Sequence, residues 1–365
     1  MKIEYVDLKS DYLKDRKKIL NIIDRALKTG HWVGGSEIEK FETNICKYTK
    51  SKYAVALNSG TDALTISLFL AGVKRGDEVI TTPNSFIATS AVISHLGAKP
   101  IFVDVQQDQN IDINKIESKI SKKTKAILPV HLTGKMSNMQ GILKISRKYK
   151  LKIIEDAAQS IGSKYLNKHS GTFGDFGCFS AHPLKNLNAL GDAGYLITNN
   201  KKHYERAKRL INHGIKFRGR VEEFGFVSRM DNIQAAILNF KLKSLNKIIN
   251  LRRKNASYYQ KYLNPKNLVI PKEDKGYFDT YHTYVIQVKN RDKLKSFLEK
   301  KGIMTGIHYP IPIHLQKASK YLGYKKGDFP IAEEQSNKIL TLPINQYISE
   351  TKIKFISETI NKFYE

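Results

Sequence analysis

Two cysteines and one tryptophan are all that this 365-residue chain contains of either type. Cys46 lies in a charged amphipathic segment and Cys178 in the strand-like run FGCFS. Two such residues make neither a disulfide framework nor a metal cluster, so both are expected to be reduced thiols, with no metal bound. No run of about 18 apolar residues occurs, which argues against membrane insertion, and no signal-peptide core is recognisable. The expected compartment is the cytoplasm. Acidic residues are also scarce: 34 Asp and Glu stand against 62 Lys and Arg, for a formal net charge of +28.

A field of that sign concentrates polyanions, and a nucleic-acid or phospholipid partner is the first idea it raises. The distribution argues otherwise. Lysines recur through residues 9–50, 115–125, 144–168, 201–208 and 241–254, mostly on the polar faces of helix-like segments, with no long basic tail. The reading is a solvated basic surface and no nucleic-acid partner, although a substrate bearing phosphates would benefit from the field. The length and the 41% apolar content fit a large domain with a smaller companion.

Along the chain, residues 11–29 carry apolar positions at helical spacing and stop at Gly30. A second helix is expected over Ser36–Tyr48, with Ser36 as its cap and Glu39 three residues later. From Tyr53 the pattern alternates. YAVALN, DEVITTP, PIFVDV, KAILPV and LKIIED read as strands, separated by helices in SGTDALTISLFLAG, ATSAVISHLG and residues 139–150. Short apolar bursts between helices imply an α/β fold, a mostly parallel sheet covered on both faces. Strand-like CFSAH and AGYLITN then flank a glycine-containing loop of no period, and such loops are usually functional. One long helix is expected from Asp231 to about Leu263, bridging into a smaller α+β unit with strand HTYVIQV, helix RDKLKSFLEKKG and a loop of His, Tyr and Pro over residues 305–317.

Three constellations could carry chemistry. Asn58-Ser59-Gly60-Thr61-Asp62-Ala63 follows a strand and opens a helix, where free N–H groups favour an anion; ordinary capping by Ser59 or Thr61 is the competing reading. Asp156 ends the strand LKIIED, on the side of a sheet where α/β proteins bind ligands, and either pairs with a protonated heterocyclic nitrogen or caps the next helix. Lys185 follows a strand, beside a proline, in the glycine-rich loop. It is either another solvated lysine or a desolvated amine able to attack a carbonyl. Together they suit one cofactor: a phosphate, a basic ring nitrogen and an aldehyde require an N–H cradle, a carboxylate and a lysine.

At this level of detail the chain resembles the DegT/DnrJ/EryC1/StrS family of sugar aminotransferases. The resemblance runs through HWVGGSEIEKFE, NSGTDAL, TTPNSFIATSAV, PIFVDV, VHLTG, IIEDAAQS, GTFGDFGCFSAHPLKNL with GDAG, SRMDNIQAA, IHYPIPIHLQ, GDFPIAEE and LTLPI. It implies the fold of the aspartate aminotransferase type (fold type I). In that fold an N-terminal helical segment (residues 1–30) packs on a large cofactor domain (31–240) with a mixed, mostly parallel sheet, followed by a smaller C-terminal domain (241–365). It implies pyridoxal 5'-phosphate (PLP), passing through pyridoxamine phosphate. In that register Lys185 forms the Schiff base, Asp156 pairs with the ring nitrogen and Gln159 lies near O3'. Gly60, Thr61 and Ser180 supply phosphate donors, and Phe86 packs on the ring face. His308, Tyr309, His314 and Gln316 of the HYPxPxHLQ loop, with His213, are implied substrate contacts.

The same resemblance implies transfer of an amino group from L-glutamate to a nucleotide-linked keto-sugar at C3 or C4, for amino sugars of surface polysaccharides such as O-antigen. It also implies a homodimer with active sites at the interface. A PLP-binding regulatory protein without turnover is the alternative. Two departures stand out. Val227 in GFVSR occupies the place of an asparagine that in the family reaches the neighbouring subunit's cofactor phosphate, and Thr133 in HLTG replaces a usual tyrosine. A dehydrating branch carries histidine at the Schiff-base position; Lys185 argues against it, since His182 lies outside that register.

Overall fold

The apolar bursts of the sequence become a sheet whose strands are buried on both faces. In the computed structural model, which describes residues 2–365, the strands are β1 (Tyr53–Leu57), β2 (Glu78–Thr81), β3 (Lys99–Phe102), β4 (Thr124–Ile127), β5 (Lys152–Asp156), β6 (Phe176–Ser180) and β7 (Gly194–Thr198). Their order is β1-β7-β6-β5-β4-β2-β3. The pairs β2–β3, β2–β4, β4–β5 and β5–β6 are parallel, while β7 is antiparallel to β1 and β6. Among the described residues, β7 alone runs against the rest of this sheet.

Val55, Val79, Ile80, Ala126, Ile127, Ile154, Phe176, Leu196 and Ile197 are all sealed from solvent, the continuous burial that helices on both faces impose. Those helices include α1 (Leu8–Lys28), α2 (Ser36–Thr49), α3 (Gly60–Leu70), α4 (Ala88–His95), α5 (Met139–Tyr149), α6 (Lys201–Leu210) and α7 (Asn232–Leu242). Helix α1 lays Ile19, Ile22 and Ala26 against Ala236 and Ile237 of α7. Each fully buried isoleucine contributes about 1.5–3 kcal/mol. The helix ends where Gly30 takes a φ of +68°, the termination its position suggested.

Two expectations are corrected. Ser36 is the first helical residue of α2 and the cap is Gly35, at φ 111° and with no side-chain hydrogen bond; glycine tolerates that backbone and serine does not. The long helix expected from Asp231 to Leu263 is two helices, α7 and α8 (Leu245–Tyr262), broken at Lys243–Ser244. The apolar period continues across the break because Leu245 and Ile249 pack into the same core as Ala235 and Leu238, so hydrophobic spacing alone could not reveal it.

Beyond α8, strands β8 (Leu268–Val269), β9 (Tyr284–Val288) and β10 (Ile339–Leu342) form an antiparallel sheet in the order β8-β9-β10. Helices α9 (Arg291–Lys300), α10 (Pro330–Lys338) and α11 (Glu350–Phe363) accompany it. A second core forms here from Tyr259, Tyr284, Ile286, Leu294, Leu298, Ile353 and Ile356, and Ile3 joins it. Helix α8 thus touches both cores, with Tyr259 in one and Ile249 in the other.

Candidate active site

The carboxyl ends of β1, β5 and β6 open on one cavity of about 500 Å³, the place where open α/β sheets bind ligands. β1 runs into Ser59, whose extended backbone lets its side chain accept from the Asp62 N–H at 3.1 Å and cap α3. Capping does not use every donor of the turn: Asp62 and Ala63 N–H groups bond to Ser59, leaving those of Gly60 and Thr61 without an intrahelical acceptor. Two glycines make the approach possible. A Cβ on Gly194 of β7 would lie 2.2 Å from the Ser59 carbonyl carbon, and one on Gly60 would lie 2.8 Å from Ser180 Cβ. The Gly60–Thr61 turn and Ser180 consequently share one corner of the cavity, a cradle of N–H and hydroxyl donors suited to a phosphate.

Asp156 ends β5 and is buried. The Thr89 hydroxyl donates to its Oδ2 at 2.8 Å and the Ala158 N–H to its Oδ1 at 3.2 Å. Burial pushes the Asp156 carboxyl up, while Thr89, Ala158, Lys185 and His131 pull it back. A cationic N–H placed before it would add a strong stabilisation of the carboxylate.

Lys185 stands in the 13-residue loop between β6 and β7. That loop is tied to itself: Lys185 N–H donates to His182 O at 2.8 Å, Ala189 N–H to Ala181 O at 2.8 Å, and Asn188 Nδ2 to Pro183 O at 3.0 Å. Burial lowers the Lys185 ammonium to about 8, with Asp156 acting in the opposite direction. Among the described residues Lys185 has no salt bridge, unlike Lys135, Lys208 and Lys241.

Gln159 is oriented at both ends: its Oε1 accepts from Thr133 N–H at 2.9 Å and its Nε2 donates to the Tyr309 hydroxyl at 3.4 Å. The wall facing the sheet comes from afar, from Tyr5, Arg252, His282, His308 and Tyr309. Burial, reinforced by the nearby Lys185 charge, lowers His308 to about 4 and holds His282 well below the usual histidine range. Both imidazoles are neutral at pH 7. Arg252 is buried as well, donating to the Tyr281 and His282 carbonyls and to Gln346, and burial lowers it to about 10.

Gly60, Thr61, Phe86, Asp156, Gln159, Ser180, Lys185, His308 and Tyr309 all line this cavity. His213, His314 and Gln316 do not. His314 is enclosed, 3.0 Å from Glu333 and edge-on to Phe329; Gln316 donates to Ile311 O; His213 occupies a turn at φ +58°. Phe86 is half exposed, its ring 6.1 Å from that of Tyr309. Sequence reasoning missed Thr89, three residues beyond Phe86, and also Tyr5, Arg252 and His282. Tyr5 precedes the first helix, Arg252 lies in a helical stretch and His282 opens a strand-like one, and no motif marks any of them. No group of three or more His, Cys, Asp or Glu able to hold a metal occurs among the described residues, and no helix there is long and apolar enough to cross a membrane. A smaller cavity of about 270 Å³ shares Thr283 with the first and includes Lys135 and Asp279.

Comparison with known proteins places the whole chain in one family. Residues 13–361 match the model of the DegT/DnrJ/EryC1/StrS aminotransferase family. A Geobacillus stearothermophilus protein named pleiotropic regulatory protein is 39% identical, over 100% of this chain and 99% of its own. The dTDP-3-amino-3,6-dideoxy-alpha-D-galactopyranose transaminase of Aneurinibacillus thermoaerophilus is 37% identical over 99% of each. Among solved structures, DesV of S. venezuelae in complex with a ketimine intermediate superposes with a TM-score of 0.97 at 32% identity, covering 100% of this chain and 99% of that one.

Proposed function

The chain belongs to the DegT/DnrJ/EryC1/StrS aminotransferase family, and from that premise we propose that it moves an amino group from L-glutamate to a nucleotide-linked keto-sugar, with PLP as cofactor. Aminotransferases of this family are PLP-dependent. The observation that carries the reading is that a desolvated lysine, a buried carboxylate and a donor cradle at a helix start open on one cavity. These groups fit the three polar ends of PLP. The name of the A. thermoaerophilus relative supports a 3-keto substrate first and a 4-keto one second. The product would serve in amino sugars of surface polysaccharides.

When bound, PLP supplies an electrophilic carbon that carries the nitrogen and a ring that takes up the electron pair left at the donor's α-carbon. Gly60, Thr61 and Ser180 would hold its phosphate, and Asp156 would keep a proton on its ring nitrogen. Lys185 would hold it covalently through Nζ. The free Lys185 amine would accept the donor's α-proton and give it back; its lowered proton affinity makes a usable neutral fraction at pH 7. Gln159 would orient the oxygen side of the ring, and Phe86 and Tyr309 would narrow the mouth against water. His308 and Tyr309 are the proposed substrate contacts. The acting unit is a homodimer whose second copy completes the cavity rim. Exposed Phe217, Val221 and Phe224, with Trp32 and Phe86, support that reading.

A second reading, a PLP-binding regulator without turnover, is favoured by the name of the G. stearothermophilus relative and by Val227 in place of a donor side chain. One experiment separates the two. Purified protein should be yellow, and borohydride should fix the cofactor on Lys185. L-Glutamate should convert the spectrum to the amine form, and a panel of 3-keto and 4-keto sugar nucleotides should convert it back. A yellow protein inert to every amino donor would favour the regulator, and a colourless one that takes up no PLP would overturn both.

A further inference from the structure

Asp156 is the end of a chain of hydroxyls. Ser85 Oγ lies 2.7 Å from Thr89 Oγ1, and the Thr89 hydroxyl donates to Asp156 Oδ2 at 2.8 Å. All three residues are buried, at 4%, 1% and 5% exposure, so these bonds form away from bulk solvent. A hydroxyl has one proton to donate. Since Thr89 directs its proton at Asp156, the Ser85 proton must point at Thr89, and both O–H dipoles face the carboxylate.

Several helical hydroxyls here make a local bond instead. Thr65, Ser94 and Thr49 each donate back to the carbonyl four residues earlier, at 3.0, 3.2 and 2.8 Å, the local bond such side chains ordinarily make. Thr89, at the second position of α4, reaches a residue 67 positions away instead. Burial alone pushes the Asp156 carboxyl up, and of the groups pulling it back Thr89 is the foremost. Reversing the chain, with Thr89 donating to Ser85, would take the Thr89 donor from Asp156 Oδ2, a change that a protonated carboxyl tolerates better than an ionised one. The direction of two hydroxyls is thus coupled to the ionisation of one carboxylate.

We infer that Ser85 and Thr89 are positioning residues that fix the Asp156 carboxylate in its ionised form and orient it toward a protonated ring nitrogen, an inference that rests on the cofactor reading above. The side-chain hydrogen bonds of the pair run to each other and to Asp156, so its influence should be strongest on ligands that carry the ring nitrogen.

The test compares binding of PLP and of its 1-deaza analogue, in which carbon replaces the ring nitrogen, to the full-length apoprotein. Thr89→Val should weaken PLP about tenfold or more, the scale of a lost hydrogen bond to a charged group, and the analogue less than about twofold. Thr89→Ser should restore PLP binding to within about twofold, and Ser85→Ala should weaken PLP by about threefold with no change for the analogue. Equal losses for both ligands, or PLP affinity unchanged in Thr89→Val, would overturn the inference. If Thr89→Val does not fold, Ser85→Ala carries the same comparison: a loss confined to PLP supports the inference, and equal losses or none overturn it. A wild-type protein that binds no PLP overturns the cofactor reading, and this inference falls with it; intact PLP binding with no selective effect overturns this inference alone.

Discussion

His131 Nε2 lies 2.9 Å from Glu155 Oε2, with both side chains wholly enclosed. The Ser137 N–H donates to His131 Nδ1 at 3.2 Å, so the ring proton sits on Nε2 and is donated to the carboxylate. Glu155 also accepts from the N–H groups of Gly171, Phe173 and Gly174 at 2.8, 2.7 and 2.7 Å. One residue before Asp156, it ties the end of β5 to the loop over residues 171–174. Glu155→Ala would leave those donors buried and unpaired. It should lower the unfolding free energy by about 3–5 kcal/mol, read from urea denaturation of the apoprotein. A loss below about 1 kcal/mol would contradict this account.

Gly60 has no room for a side chain, because a Cβ would meet Ser180 Cβ at 2.8 Å. The neighbour cannot yield without moving the end of β6. Gly60→Ala should therefore separate the α3 start from Ser180 and weaken PLP binding about tenfold or more, on the scale of one lost charge-assisted hydrogen bond. Spectrophotometric titration of the apoprotein with PLP measures it. Free inorganic phosphate should lose affinity in parallel, whereas a defect confined to the aldehyde end would not affect phosphate.

What the sequence makes legible follows from how each residue is positioned. Strand ends such as Asp156 and Ser180, and the turn at Gly60, belong to local patterns: an apolar burst fixes the strand, and the next polar residue must lie at its carboxyl edge. Lys185 could be singled out because it breaks the lysine pattern of this chain, standing in a loop instead of on a helix face. Arg252 and His282 offered no such sign. Arg252 sits on α8, whose Ile249 packs into the large-sheet core, and His282 lies just before β9; only the fold brings them to the cavity. The break at Lys243–Ser244 was hidden for a related reason, since both helices bury apolar residues in one core and keep the period intact. His314 shows the opposite failure: its motif suggested a ligand contact, but Glu333 and Phe329 enclose it.

The ribbon formed by Ile215–Phe217 and Arg220–Val221 carries Phe217 and Val221 at 56% exposure, and Phe224 follows at 97%. An isolated two-stranded ribbon gains little stability by itself, and apolar side chains grouped on one mark an interface. In the proposed homodimer, Phe224→Ser should leave the monomer's fold intact while raising the dissociation constant about 30-fold or more, the effect of losing one aromatic hot spot. Sedimentation equilibrium would register the change. A variant that dimerises like the wild type would exclude this ribbon as the contact.

Lys185 gives a prediction in pH whose direction follows from its burial. In the unfolded chain its ammonium titrates near the model-peptide value of about 10.4; in the folded apoprotein burial lowers it to about 8. Between those values the unfolded chain binds more protons, so this group makes the apoprotein more stable as pH rises through the window, and its full penalty is present below about 8. Reactivity follows the same titration. In the proposed role the neutral amine is the form that would capture PLP, so the observed capture rate should climb about tenfold per pH unit below about 8 and level off above it. Stopped-flow absorbance at constant ionic strength measures this, and a rate still climbing at pH 10 would show that the lysine is not desolvated. Lys185→Ala should abolish covalent capture and lower transamination about 1,000-fold or more. PLP should still bind noncovalently, because the Gly60–Thr61 turn, Ser180 and Asp156 remain in place.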